Sequence, residues 1–415
     1  MFDSPPGSVT KARRSIVRTI IDRLMPRLVG DDQLTLLYPD GTQSVFGNGP
    51  GRRLAVEIKT WDAARNILLD PALAFGEAYM DGTLVARQGS VYDILDMLLT
   101  AHQRGGLGPI AAIREAIGRA GKRFSQINPA FRARRNASHH YDLGGGLYKL
   151  LLDPDMQYSC AYFRHGDETL EAAQAAKKHH IAAKLLLDRP GLRVLDIGCG
   201  WGGMALTLAR DYACDVTGIT LSAEQLQVAR ARAEQAGLSD RVRFELLDYR
   251  AIPLTFDRIV SVGMFEHVGI NHYRGFFEIV RRCLEPDGVA LLHAIGRSHG
   301  PKATNPWIRK YIFPGGYSPA LSEVLPAVEK SGLVATDIEI LRTHYARTLQ
   351  LWHQNLQHNH EAVTAMYDDR FMRMFDFYLS GAELAFRRTG HMVWQLQLAR
   401  QQSTVPLTRD YLTLP

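Results

Sequence analysis

Cysteine is scarce: Cys160, Cys199, Cys214 and Cys283 are the four in a chain of 415 residues. They are scattered and form no CxxC pair. That excludes a disulfide framework, argues against a structural zinc site and fits a reducing, cytoplasmic setting. Long apolar runs are missing too. No stretch approaches the ~18 uninterrupted apolar residues of a membrane span. The opening MFDSPPGS is polar and lacks the apolar centre of a signal peptide. The expectation is a protein neither secreted by that route nor integral to a bilayer. Zinc-finger, RNP and helix-turn-helix signatures are absent, so no nucleic-acid partner is expected. No His, Cys or carboxylate spacing resembles a metal site, so no metal is expected. Internal repeats and low-complexity tracts are absent as well. What remains is a chain 46% hydrophobic and 22% charged, able to bury a sizeable core and long enough for two or three domains of ~150 residues.

Charge is uneven. Residues 1–140 hold 19 Lys and Arg against 13 Asp and Glu, whereas residues 141–415 hold 30 of each. A basic first third attached to a neutral remainder points to an anionic partner, either nucleic acid or the anionic face of a membrane, and the missing nucleic-acid signatures favour the membrane. In SVTKARRSIVRTIIDRLMPRL, Ala12, Ile16, Ile20 and Leu24 recur every four residues, with Arg13, Arg14, Arg18, Arg23 and Arg27 between them. This pattern fits a helix packed on its own domain with a solvated basic face, or a basic amphipathic helix on a membrane surface. Pro26 and the lack of Trp or Phe on the stripe favour packing.

LTLLYPDGTQSVFG reads as a hairpin about Pro-Asp-Gly, and VEIKTWDAARNILLD as a strand running into a helix. Residues 75–100 and 107–124 read as helical. GKRFSQINPAFRARRNASHH is polar, basic and Pro-containing. The chain therefore divides into a basic N-terminal domain over 1–125, suited to membrane or lipid docking, a linker over 126–140, and a catalytic domain over 141–415. From about residue 190, β-rich runs alternate with helical ones: RVLDIG, CDVTGIT, VRFELL, DRIVSVG and GVALLHAIG. That alternation marks βαβ units on a parallel sheet, with ligands expected at the strands' C-terminal edge.

VLDIGCGWGG ends a strand in Asp196 and opens a helix through Gly198, Gly200, Gly202 and Gly203. Glycines let a ligand approach bare backbone. A G-x-G alone is also found in dinucleotide folds. Here the Asp precedes the first glycine, and the next strand ends in Thr220 without the acidic residue that an NAD ribose needs. A strand-end carboxylate beside G-C-G suits a cationic ligand that carries no phosphate.

D-x-G-x-G after a first strand resembles the nucleotide-binding motif of class I S-adenosylmethionine-dependent methyltransferases. HHYDLGGGLYKLLLDPDMQYSCAYF, VLDIGCGWGG, GITLSAEQ, DRIVSVGMFEHVG, LLHAIG and WIRKYIFPGG, in this order, resemble the cyclopropane-fatty-acid-synthase family over roughly residues 136–400. The resemblance implies an α/β fold: a Rossmann-like, seven-stranded class I methyltransferase domain with a smaller mixed α+β N-terminal domain. It puts the cofactor on Tyr158, Ser159, Gly198, Gly200, Thr220, Leu221, Gln225, Asp248 and Tyr249, with Asp196 orienting the glycine turn. It implies that Cys160, Glu266, His293, Ile295 and Tyr345 hold a bicarbonate ion acting as base.

The chemistry implied is methylene transfer from S-adenosylmethionine to the cis double bond of an unsaturated phospholipid acyl chain. The alkene attacks the sulfonium methyl, a carbocation forms, and a proton must leave the transferred carbon for the ring to close. Such a site needs an apolar pocket, aromatic faces and a base within reach. The resemblance further implies peripheral contact with the inner face of the membrane and raises the prior of a homodimer. His267, His139 and His140 are read as ordinary structural histidines. The aromatic run FMRMFDFYLSGAELAF reads as a helix, lining a lipid tunnel or simply packed in a core. Ala382 stands where the family commonly has cysteine, which argues against a covalent thiol mechanism. It leaves room for a methylene- or methyl-branched product. A small-molecule methyltransferase is the remaining alternative.

Overall fold

The computed structural model describes residues 6–104 and 145–412. The expected helix over 107–124, the linker over 126–140, His139 and His140 lie outside the described residues. Two compact units are formed. One contains the described residues up to 104 together with 305–312 and 356–389; the other contains the rest.

In the first unit, β1 (Gln33–Leu37) and β2 (Gln43–Phe46) form the expected hairpin. The Asp40 carboxylate closes its turn by accepting from the Thr42 N–H at 3.1 Å. Strand β3 (Arg53–Ile58) pairs parallel to β1, and β4 (Leu84–Gln88) antiparallel to β3. Leu34, Leu36, Leu54, Val56 and Ile58 alternate inward at the strand period of two. Thr60 caps the helix Trp61–Leu69 that follows.

The helix read over 75–100 is instead two helices, Pro71–Met80 and Val91–Gln103, with β4 between them. Gly82, at φ +68°, turns the chain out of the first helix, and ladder pairing to β3 overrides helical propensity in LVARQ. Helices Pro306–Tyr311 and Asp369–Arg388 complete this unit. Trp307 donates its indole N–H to Met80 Sδ, and Tyr79 its hydroxyl to Asp376. The aromatic run is thus helical, as read.

The helix Pro6–Leu24 corrects one expectation. Its packed face carries Val17 and Ile21, together with Met25 just beyond its end. The four-residue stripe points outward instead: Ile16, Ile20 and Leu24 are 58%, 42% and 37% exposed. The true core face lies one residue, about 100°, around the helix.

The second unit is built on seven strands: β5 (Arg193–Ile197), β6 (Asp215–Thr220), β7 (Val242–Leu246), β8 (Phe256–Val262), β9 (Leu284–Arg297), β10 (Val334–Ile340) and β11 (His391–Ala399). Their order is β10-β11-β9-β8-β5-β6-β7. Strands β5 to β9 pair in parallel, and β11 lies antiparallel to both neighbours. Both faces are covered. Val194, Val260 and Leu291 join the core on one side, Leu195, Ile259 and Leu292 that on the other, as expected of a sheet buried between helix layers. The chain leaves β5 toward β6 on one flank and β8 on the other. This is the topological switch point at which open α/β sheets bind ligands.

Candidate active site

A cleft opens at the C-terminal ends of β5, β6 and β8. Tyr158, Ser159, Asp196, Gly198, Gly200, Thr220, Leu221, Gln225, Asp248 and Tyr249 all line it. Ten positions drawn from four separate stretches of sequence are thereby brought to one cavity.

The glycine turn follows from backbone constraints. Gly198 sits at φ +81°, and a Cβ there would lie 2.8 Å from that of Met264. Gly200, at φ +54°, would meet nothing within 4 Å, so bare peptide faces the cleft. The N–H groups of Gly198 and Cys199 both donate to the Ile219 carbonyl, at 2.9 and 3.0 Å. The β6 backbone thus holds the turn. Asp196 is buried, and its Oδ2 has no hydrogen-bond partner among the described residues. Burial pushes its pKa up to about 7, with Lys177 pulling the other way.

After β6, Thr220 donates to the Gln225 side-chain oxygen at 2.9 Å and accepts from Ser222 N–H at 3.1 Å, and Ser222 caps the next helix. After β7, Arg250 grips the Asp248 carboxylate with two bonds of 2.8 and 2.6 Å. Tyr249 packs edge-on against Phe276, and burial raises its hydroxyl to about 12. It therefore remains a donor at neutral pH.

Tyr158 and Ser159 lie in a loop braced by two residues that the sequence did not single out. Gln174 donates to the backbone oxygens of Ser159 and Gln157 at 2.9 and 3.2 Å. Lys177 donates to Ser159 Oγ at 2.8 Å and Gln157 Oε1 at 2.6 Å. Both are fully buried on the helix Leu170–Lys184. Burial lowers the Lys177 ammonium to about 8. The available signal was their i, i+3 spacing, which puts two polar side chains on one face of an alanine-rich helix. His267, read as structural, also lines the cleft; burial lowers it to about 4, so it is neutral at pH 7.

Cys160, Glu266, His293, Ile295 and Tyr345 do not line this cleft; they are placed beside it. Cys160 follows Ser159, and Glu266 precedes His267. Glu266 is buried, and its Oε1 accepts from the Ile295 N–H at 2.6 Å. Its Oε2 has no partner among the described residues, and burial lifts its pKa to about 7. His293 lies two residues before Ile295 on β9 and is held neutral by burial, reinforced by the charges of Lys177 and Lys184. Cys160 is buried, which pushes its thiol far above the ordinary value and leaves no thiolate at neutral pH.

Ala161 N–H donates to Thr348, one helical turn beyond Tyr345. An aromatic chain ties the two regions together. Tyr158 stacks on Trp352 at 5.1 Å, and Trp352 meets Tyr345 edge-on at 5.7 Å. Tyr148 touches both Tyr158 and Trp201. Among the described residues, no group of His, Cys, Asp and Glu is arranged to hold a metal ion.

Comparison with known proteins agrees with this architecture. The family model "Mycolic acid cyclopropane synthetase" matches residues 129–396, and a domain of unknown function, DUF7884, matches residues 20–104. The chain is 40% identical to "Cyclopropane-fatty-acyl-phospholipid synthase" of Escherichia coli K12, over 83% of this chain and 87% of that one. It is 32% identical to "Tuberculostearic acid methyltransferase UfaA1" of Mycobacterium tuberculosis, over 96% and 94%. The crystal structure of the mycolic acid cyclopropane synthase CmaA1 complexed with SAH and CTAB superposes with a TM-score of 0.61. It is 34% identical and covers 66% of this chain and 99% of its own.

Fold and relatives together define a class I S-adenosylmethionine-dependent methyltransferase, with a smaller sheet domain at its N-terminal side. More narrowly, the chain belongs to the mycolic acid cyclopropane synthetase family.

Proposed function

We propose that the protein transfers a methylene group from S-adenosylmethionine to the cis double bond of an unsaturated phospholipid acyl chain, giving a cyclopropane. The observation that carries this is the buried, half-satisfied Glu266 carboxyl bonded to the Ile295 N–H, two residues along β9 from neutral His293, next to a cleft of class I methyltransferase type. The naming of the relatives for fatty-acyl and mycolic acid chemistry supports a lipid substrate.

In this proposal, Tyr158, Ser159, Gly198, Gly200, Thr220, Leu221, Gln225, Asp248 and Tyr249 bind the donor, with the Asp196 carboxylate near its positive charge. Methyl passes from sulfur to one alkene carbon, leaving the thioether and a cation on the other carbon. Stacked Tyr158 and Trp352 and edge-on Tyr345 offer aromatic faces, each worth up to about 2 kcal/mol to a desolvated cation. One C–H of the transferred carbon is then lost, and its electron pair closes the ring. Bicarbonate, when bound, supplies the base for that proton. The donor set suits it: the unpaired Glu266 oxygen, which when protonated can donate, the imidazole N–H of His293, the Tyr345 hydroxyl and Cys160, with the Ile295 N–H holding the other Glu266 oxygen in place. Their burial keeps water from trapping the cation.

The substrate would be reached at the inner face of the membrane by peripheral contact. None of the helices among the described residues is long and apolar enough to cross a bilayer. The exposed ridge Ile16, Ile20 and Leu24, flanked by Arg14 and Arg23, offers an apolar strip with cationic edges. A methyl-branched product is the second reading, favoured by the near full-length match to the tuberculostearic acid methyltransferase.

The test of substrate class is incubation with methyl-labelled S-adenosylmethionine and vesicles of cis-monounsaturated phospholipid, against saturated vesicles and small amines. Label entering only the unsaturated acyl chains is expected. Label in small amines and none in lipid overturns the proposal.

A further inference from the structure

Strand β11 reads His-Met-Val-Trp-Gln-Leu-Gln-Leu-Ala. Met392, Trp394, Leu396 and Leu398 face one core. On the opposite face, two glutamines stand where a central strand of a covered sheet ordinarily places apolar residues. Both are completely buried. Gln397 is well satisfied: its amide N–H donates to the Lys184 carbonyl, and its oxygen accepts from Thr336 at 2.8 Å. Gln395 is not. One side-chain hydrogen bond is formed, between its amide nitrogen and Nδ1 of His293, at 3.2 Å. Its Oε1 has no partner among the described residues.

The contact is dictated by register. In the antiparallel pairing of β11 with β9, Gln395 lies directly opposite His293, and directly opposed side chains on one sheet face touch. A buried amide with one partner costs stability that an apolar side chain of the same shape would not. Among the described residues, its one side-chain hydrogen bond is with the imidazole assigned above to the reaction centre.

We propose that Gln395 is a positioning residue that fixes the tautomer of His293. Its amide N–H donates to Nδ1, so the single proton of the neutral ring sits on Nε2. The ring then presents an N–H donor, not a lone pair, to an anion in the pocket. Burial and the nearby Lys177, Lys184 and His180 keep the ring neutral, so that the tautomer and not ionisation decides what it offers. An outer partner that orders a working imidazole is a general device; for metal-bound imidazoles its loss commonly costs 10–100-fold, which sets the scale expected here. The functional weight of the proposal rests on the reading of His293 under Proposed function; the tautomer itself does not.

The test is nitrogen NMR of the full-length protein carrying 15N-histidine, with the His293 signals assigned by their loss in His293→Asn. The wild-type ring is expected as the Nε2–H tautomer. In Gln395→Glu the carboxylate accepts from the ring and draws the proton to Nδ1; turnover on unsaturated phospholipid should fall about 100-fold, with S-adenosylmethionine affinity within about twofold. Gln395→Met fills the same space without choosing a tautomer and should lose about tenfold. An Nδ1–H ring in the wild type overturns the proposal whether or not a Gln395 variant folds. So does full turnover in Gln395→Glu. An Nε2–H ring in a protein inactive on lipid supports the positioning role while removing the lipid reading.

Discussion

The Glu266 carboxyl accepts from the backbone N–H of Ile295 at 2.6 Å, joining the loop after β8 to the strand β9, while its buried second oxygen has no partner among the described residues. One half of the carboxyl ties two elements together, and under the proposed function the other half meets the ligand. Glu266→Gln keeps the shape and can still accept from Ile295, but it cannot ionise. Turnover should fall at least 100-fold, with the dissociation constant for S-adenosylmethionine within about threefold by calorimetry. Loss of donor binding instead would move Glu266 from the proton-handling site to the cofactor site.

The same carboxyl sets a stability signature. Its folded pKa, raised by burial to about 7 from an ordinary 4.5, means that the folded protein holds this proton more tightly than the unfolded chain. Its contribution is therefore fully present below pH 4.5 and is lost as pH rises toward 7. The amount is on the order of 3 kcal/mol. Asp196 acts in the same sense, whereas His267, held at about 4, acts oppositely between pH 4 and 6.5. The difference between parent and variant isolates the sign. Denaturant melts at pH 5 and pH 8 should show Glu266→Gln gaining stability relative to the parent at the higher pH. An unchanged difference would mean that Glu266 is ionised throughout.

Lys177 and Gln174 brace the loop that carries Tyr158 and Ser159. Lys177→Met retains the buried stem and removes the ammonium. Losing a charged hydrogen bond of ~1.5–3 kcal/mol to Ser159 should raise the KM for S-adenosylmethionine at least tenfold while kcat falls less. An unaltered KM would mean that the loop holds its shape without the lysine.

Much of the catalytic unit was legible because its signals are local. A strand, a glycine turn and a helix can be read from ten residues, and the positions that line the cleft follow each strand end in order. What stayed hidden depended on packing. Lys177 matters because its helix lies under a loop some twenty residues away in sequence. The strand Leu84–Gln88 exists because β3 is there to pair with it. The helix Asp369–Arg388 joins the unit that contains residues 6–104, a return of the chain that no boundary signal announced. Ile16, Ile20 and Leu24 formed a convincing stripe, but the core took the neighbouring face. The charge count also sharpens on inspection. Residues 1–104 hold 12 Lys and Arg against 12 Asp and Glu, so the surplus lies within 105–140, where seven basic residues meet one Glu.

Membrane contact should therefore have two separable parts. Ile16→Glu with Ile20→Glu should weaken binding to anionic vesicles at any salt concentration, while leaving turnover on detergent-dispersed lipid unchanged. Replacing Arg132, Arg134 and Arg135 with Gln should flatten the salt dependence, at about 1 kcal/mol per charge near the surface. Co-sedimentation at low and high salt reads both. Vesicle binding indifferent to both sets would place the contact elsewhere.

The central claim is that a proton is removed from the transferred carbon itself. S-adenosylmethionine bearing a CD3 group, incubated with vesicles of cis-monounsaturated phospholipid and followed by mass spectrometry of the released acyl chains, tests it most directly. The expected product has gained one carbon carrying two deuteriums and has lost its alkene. A chain that gains an intact CD3 group contradicts the account.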